Sequence, residues 1–166
     1  MISRKAQVLI AVAIGLSLIV PVVAHAATLF YRGSVDGERK AVVGFEVRGP
    51  RDSDGGIKFG TAKVEDFVIS GVKVTRQCAG QEATTTSGAF LFEDEIDVQG
   101  DGDFRGKETP KILGSGIEGS MVVKGQYSER NAEFVGSFRL QAVERDPSHG
   151  DCVYTVDKVH WTAFRR

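Results

Sequence analysis

The most informative absences in this sequence lie beyond residue 26. No long stretch there repeats its apolar residues with a period of about 3.6, which argues against a helical protein. No basic stripe is present either, so nucleic acid is not an expected partner. The chain is instead rich in glycine, with 20 residues, and in phenylalanine, with 10. This composition favours β structure.

Long apolar runs are confined to the beginning of the chain, where the pattern is typical of a signal peptide. Arg4-Lys5 precedes an uncharged run over 8–23 that is interrupted by Pro21. Ala24-His25-Ala26 then forms an A-x-A cleavage site, so we expect residues 1–26 to be removed. A retained membrane anchor is the alternative, but the run is short for a membrane span.

The remaining residues, 27–166, are numerous enough for one domain that buries its own core. Loss of the signal peptide takes away Arg4 and Lys5 and no acid, which changes the formal net charge from −1 to −3. We therefore expect a single β-domain that is secreted to the extracellular or cell-wall space. We also expect it to be a monomer, with no membrane contact after signal removal.

Cysteine is scarce: the chain has two, Cys78 and Cys152, and no C-x-x-C pair. The absence of that spacing argues against a redox or nucleophilic pair. One disulfide between them is the usual arrangement in an exported protein. Because the two residues are 74 positions apart, the crosslink would stabilise the fold by about 4.5 kcal/mol on the chain-entropy argument.

The clearest strand signal is a hairpin over 120–142. Apolar residues and glycine alternate with polar residues on both sides of a turn over 129–132. A four-residue turn makes every inward residue meet another inward residue, so pattern and register agree. The predicted pairs are Tyr127 with Phe134, Gly125 with Gly136, Val123 with Phe138, and Met121 with Leu140.

Gly125 and Gly136 thus face each other on the buried side of this hairpin. Two opposed glycines leave a gap in the core, which a bulky side chain must fill or a sharp bend must close. Trp161, the only tryptophan, is the expected filler. The alternative is a ligand cavity formed by Gly125, Gly136, Trp161 and Tyr127.

The rest of the chain continues the strand pattern. The fold class that fits best is an all-β antiparallel meander of nine or ten strands closing as a barrel, with a two-sheet β-sandwich as the alternative. The first predicted element is a hairpin over 28–47 with a three-residue loop, Val35-Asp36-Gly37. Two short strands follow within 63–78, divided at Ser70-Gly71, and further strands are predicted over 84–92 and 104–107. A long loop over 108–119 and a strand over 152–164, with a bulge near Asp157-Lys158, complete the pattern outside the 120–142 hairpin.

No cofactor is implied by the motifs. The one metal candidate is a weak calcium site at Asp97, Asp101 and Asp103, since Ca²⁺ takes several oxygens from a turning loop. The EF-hand spacing fails because Arg105 stands where a further ligand is needed. A solvated acidic turn is therefore the favoured interpretation.

The C-terminal strand carries the pattern Val159-x-Trp161-x-Ala163-x-Arg165, after one cysteine in mid-chain and one near the end. In these features the chain resembles small exported β-rich proteins of high-GC Gram-positive bacteria. The resemblance implies export and a β fold. That group has no assigned activity to transfer.

We therefore expect a binding or interaction module whose partner is an unknown small molecule or protein. An enzyme is less favoured, because the inward positions are almost all apolar or glycine and no catalytic residue stands out. The alternatives are a small hydrolase or isomerase with a barrel cavity, and a protease inhibitor that presents the loop over 49–60.

Overall fold

A computed structural model describes residues 26–110, 117–145 and 150–166 of the protein. Within these ranges the chain forms nine strands and no helix, so no helix there could cross a membrane. The predicted signal peptide lies outside the described residues except for Ala26. The strands are β1 Ala26–Val35, β2 Glu38–Pro50, β3 Lys63–Cys78, β4 Thr84–Leu91, β5 Ile96–Asp97, β6 Phe104–Glu108, β7 Ile117–Ser128, β8 Glu133–Glu144 and β9 Cys152–Arg165.

All strand pairings are antiparallel, in the order β4-β3-β2-β1-β9-β8-β7-β6. The C-terminal part of β3 also pairs with the start of β9, which closes β1, β2, β3 and β9 into a four-stranded barrel. The other strands lie outside this ring, and β5 joins β3 while Val98 bridges to Phe104 at the start of β6. The prediction of an all-β meander closing as a barrel is confirmed.

The β7–β8 hairpin has the predicted register. Tyr127 faces Phe134 and Gly125 faces Gly136, and the pairing continues without interruption along both strands. Among the inward residues of β8, Phe134, Phe138 and Leu140 are buried and Gly136 is half-buried, whereas Val135 on the opposite face is 38% exposed. Val122 is also buried, although it lies on the outer face of β7.

The β1–β2 hairpin corrects one prediction. A three-residue loop would place Ser34 opposite Glu38, but Val35 faces Glu38 across a two-residue Asp36-Gly37 turn. An irregularity next to this pair then sets Ser34 opposite Val42. Odd-numbered residues of β1 still lie opposite odd-numbered residues of β2. The two-residue turn alone would pair odd with even numbers, and the bulge restores the odd–odd pairing. Gly37 has a φ of 74°, as the left-handed turn position requires.

The region 63–78 is a single strand, β3, and not the two short strands predicted. The expected break at Ser70-Gly71 is a bulge: Gly71 has a φ of 79°, and the pairing with β4 shifts there and then continues. The bulge predicted near Asp157-Lys158 is present in β9, where these two residues lie opposite Arg139 alone. Strands β4 and β6 occur as predicted. The loop predicted over 108–119 is shorter at both ends, because β6 includes Glu108 and β7 begins at Ile117, and residues 111–116 lie outside the described residues.

The core is aromatic, and it fills the gap beside both glycines. Trp161 is directly opposite Gly136, and a Cβ on Gly136 would contact the indole ring and the Lys124 carbonyl oxygen. The gap at Gly125 is filled by Phe104 of β6, whose ring would meet a Cβ placed there. The prediction that Trp161 fills the gap beside the glycines is therefore correct for Gly136. The gap beside Gly125 is filled by Phe104, which the sequence analysis did not predict. Both rings pack with Phe45 and Phe67 and with each other, and Phe104 also packs with Phe134.

The predicted disulfide is present. Cys78 and Cys152 are directly paired residues of β3 and β9, so the bond crosslinks the pairing that closes the barrel. Arg76 and Tyr154 are paired two positions along from the disulfide, and the Arg76 Nε donates a hydrogen bond to the Tyr154 hydroxyl over 3.1 Å. The Tyr154 hydroxyl in turn donates to a Glu144 carboxylate oxygen over 2.6 Å. Burial and this carboxylate raise the pKa of Tyr154.

Candidate ligand groove

An open groove of about 990 Å³ crosses four neighbouring strands, β6, β7, β8 and β9. Its centre consists of residues that the strand register aligns in rows. One row is Phe104, Gly125, Gly136 and Trp161, and the next is Arg105, Lys124, Ser137 and His160. Segments around β5 and the β1–β2 turn complete its walls with carboxylates: Asp36, Asp94, Glu95, Asp97, Asp103 and Glu108.

Two polar atoms in this groove lack hydrogen-bond partners. Among the described side chains, only the Trp161 Nε1 and the Asp103 Oδ1 are buried without a partner. Both residues line the groove. A buried polar atom without a partner is uncommon in a folded protein, and a bound molecule or ordered water is one common explanation.

The groove is lined by three of the four residues that were predicted to form a ligand cavity. Gly125, Gly136 and Trp161 line it, whereas Tyr127 does not. Tyr127 instead packs against Phe59 and Phe134, with ring centroids 5.1 Å from each. The glycines have no empty cavity on their inner side, because Trp161 and Phe104 occupy it. The groove opens to solvent on the flank of the sheet.

The three predicted calcium ligands do not converge. Asp97 lies 3.6 Å from the Lys63 ammonium, and Asp101 accepts a hydrogen bond from the amide of Asp103 over 3.2 Å. Gly102 between them has a φ of 84°, as in a tight turn. No three carboxylate, imidazole or thiol groups in the described ranges are placed to hold a metal ion.

Several carboxylates of the groove already have partners. Glu95 forms an ion pair of 2.8 Å with Lys63, which lowers the pKa of Glu95 and raises that of Lys63 through the hydrogen bond and the charge. Glu108 accepts hydrogen bonds from the backbone amides of Glu93 and Asp94 over 3.2 and 2.7 Å. These contacts hold the β5 segment against its neighbours, so the two carboxylates stabilise the wall of the groove.

Sequence reasoning did not bring together three basic residues of the groove. Arg105, Lys124 and His160 are exposed on the outer face, and each comes from a different part of the chain. They form a row only because the strands pair in this register. The signal available in the sequence was the parity of the β7–β8 hairpin, which places Lys124 outward, but the neighbours on β6 and β9 depend on long-range pairing.

A second depression, of about 400 Å³, is lined mainly by residues of β1, β2 and β3 and is mostly apolar. Exposed Phe30, Val42 and Val68 surround Gly44, where the nearest atom to an added Cβ is the Tyr31 carbonyl oxygen at 3.8 Å. Asp66 at its margin has a φ of 51° in the bulge between β2 and β3. Neither unpartnered buried atom belongs to this depression, so the first groove is the stronger candidate.

Comparison with known proteins adds no assignment. No protein-family model matches the chain, and a search of curated proteins finds no match. The resemblance to small exported β-rich proteins therefore stays a prediction, and the candidate site rests on geometry.

Proposed function

We propose that the protein is an exported binding module that holds a polar ligand in the groove across β6–β9. The observation that carries this proposal is the coincidence of the two unpartnered buried atoms, Trp161 Nε1 and Asp103 Oδ1, with one groove. A ligand that offers an acceptor to the indole and a donor to the carboxylate would satisfy both atoms.

The dimensions and chemistry of the groove also support a ligand of moderate size. Its volume of about 990 Å³ lies at the upper end of the range for small-molecule sites, about 300–1,000 Å³. Charged and polar side chains of the outer row and of the walls line the groove, so the favoured ligand carries several hydrogen-bonding groups.

Trp161 makes the proposal testable before the ligand is identified, because it is the only tryptophan. We would titrate a panel of amino acids, monosaccharides and nucleoside phosphates, and measure tryptophan fluorescence and the thermal midpoint. A ligand that binds only the folded state raises the midpoint. We expect at least one class to change both signals.

A matched pair of variants tests whether the ligand that changes the fluorescence and the thermal midpoint binds in this groove. Ser137 lies in the central row of the groove, so Ser137→Phe should fill the groove and abolish the response. Ser87→Phe makes the same change at an exposed position of β4, outside the groove, and should leave the response intact. If both variants respond like the wild type, the ligand binds elsewhere and the proposal is wrong.

The enzymatic alternative has one supporting observation, namely that His160 lines the groove together with carboxylates. Its imidazole makes no hydrogen bond to a carboxylate within the described residues, whereas a general base is normally oriented by such a partner. Hydrolysis of a generic ester that disappears in His160→Ala would favour the enzyme.

The inhibitor alternative depends on the loop that follows β2. Asp52 Oδ1 accepts hydrogen bonds from the amides of Asp54 and Gly56, and Arg51 bridges to buried Ile57. These contacts make a closed turn, whereas a protease requires an extended segment. We therefore favour ligand binding over inhibition.

A further inference from the structure

We propose that the outer wall of the groove is an anion-binding site for a ligand that bears more than one phosphate or sulfate group. This inference rests on the proposed binding function and names the chemistry of the ligand. Its basis is a set of cations on adjacent strands: Arg105 and Lys107 of β6 and Lys124 of β7 line the groove, and Arg139 of β8 lies outside its lining.

The register brings these cations together. Arg105 lies directly opposite Lys124, and the next positions along the pairing place Lys107 opposite Val122 and Val122 opposite Arg139. Directly opposed residues on one face have Cβ atoms about 5 Å apart, and like charges in that position destabilise a sheet. Beyond Ser137, the row ends at exposed His160 on β9.

These cations have no protein partner in the part of the chain that the structure describes. All four are exposed, and none forms an ion pair or a side-chain hydrogen bond there. By contrast, three carboxylates of the groove are held by Lys63 or by backbone amides. The carboxylates of the groove that form no ion pair within the described residues are Asp36, Asp94, Asp103 and Glu108, the last of which is held by backbone amides.

An anionic ligand explains why the like charges are kept together. Arginine offers a planar fork that binds phosphate or sulfate through two hydrogen bonds, and lysine adds a point charge. The Ser137 hydroxyl is a further donor in the same row. Four strands at a spacing of about 4.8 Å make a row about 14 Å long, which suits a ligand with several anionic groups better than a single ion.

The test uses tripolyphosphate and dextran sulfate as probes, with neutral dextran as the blank, in calorimetric titrations at low salt. We expect at least one probe to bind wild type and to bind Arg105→Gln/Lys124→Gln about tenfold or more weakly. Arg51→Gln/Lys58→Gln removes the same charges from the exposed loop after β2 and should not weaken binding. Arg105→Lys/Lys124→Arg keeps the charge and should keep the affinity. Preference for one probe would identify phosphate or sulfate as the bound group.

Two results would overturn the anion site: no binding of either probe, or an equal loss of binding in the control pair. The two proposals fail differently. If neither anion binds while Ser137→Phe abolishes responses to neutral compounds, the binding function stands alone. If anion binding depends on Arg105 and Lys124 and survives Ser137→Phe, the anion site stands and the groove function fails.

Discussion

Gly136 lies directly opposite Trp161 in the β8–β9 pairing, and there is no room between them for a single methyl group. The glycine is needed because the indole and the Lys124 carbonyl oxygen both occupy the space that a Cβ would take. This contact joins the packing of the core to the floor of the groove, since both residues line it.

The first prediction concerns this contact. Gly136→Val should lower the free energy of unfolding by about 1–3 kcal/mol through overpacking, because a backbone carbonyl cannot move aside as a flexible side chain could. Val135→Thr, at the neighbouring outward position, should change it by less than about 0.5 kcal/mol. Urea unfolding followed by circular dichroism compares the two. A larger effect at 135 would mean that the faces of this hairpin are reversed.

A second prediction separates the packing of Trp161 from its hydrogen bonding. Trp161→Ala should cost about 3–5 kcal/mol, because it opens a cavity among Phe45, Phe67 and Phe104. Trp161→Phe keeps most of the aromatic volume and removes an Nε1 that has no partner in the described protein, so it should cost clearly less. Equal losses in urea unfolding would show that the indole nitrogen has a stabilising partner.

The outcome for this core shows what a sequence pattern can determine. Period-two alternation predicts which residues of a hairpin face inward, so Met121 through Leu140 were assigned correctly. For β1 and β2, the same pattern predicts only that odd-numbered residues lie opposite odd-numbered residues. Because a longer loop and a bulge restore parity equally well, the two-residue turn at Asp36-Gly37 could not be chosen from the alternation alone.

Long-range pairing accounts for the features that were missed. Phe104 fills the space beside Gly125 because β6 pairs with the free edge of β7, a choice that no local pattern in β6 expresses. The cations Arg105 and Lys124 meet through that same pairing. The sequence places Arg105 outward within its own strand, but its neighbours depend on which strand lies beside it.

A third prediction tests the disulfide at the barrel closure. Cys78 and Cys152 are adjacent across β3 and β9, and the bond closes a loop with a sequence separation of 74. Reduction should therefore lower the free energy of unfolding by about 4.5 kcal/mol on the chain-entropy argument. Urea unfolding with and without reductant measures this loss. Cys78→Ser/Cys152→Ser provides the control, because its stability should not respond to reductant.

Alkaline pH provides a fourth prediction. Burial raises the pKa of Tyr31 from 10.0 to about 12, with a further increase from Tyr127 and an opposing effect of Arg165. The folded state therefore holds the phenol proton more tightly than the unfolded chain does. The resulting stabilisation is fully present below about pH 10 and is lost as the pH rises towards about 12.

Tyr31→Phe removes the titrating group and keeps the ring that stacks on Phe45. The free energy of unfolding should fall less steeply with alkaline pH in this variant than in wild type. Urea midpoints from about pH 8 to about pH 11 give the two slopes. Parallel slopes would show that Tyr31 titrates equally in the folded and unfolded states.

The last prediction follows from the opposed cations of the groove, in the protein without ligand. Arg105 and Lys124 face each other across β6 and β7 with no acidic partner among the described residues. Lys124→Glu replaces this repulsion by a cross-strand ion pair and should raise the free energy of unfolding by about 0.2–1 kcal/mol. Lys73→Glu makes the same charge change beside Glu38, with which Lys73 is now paired at 3.7 Å, and should be destabilising. Both effects should shrink in about 0.5 M salt because the charges are exposed and screened. If Lys124→Glu were instead destabilising at low salt, the cations would have a stabilising role in the free protein, and a ligand would no longer be needed to explain them.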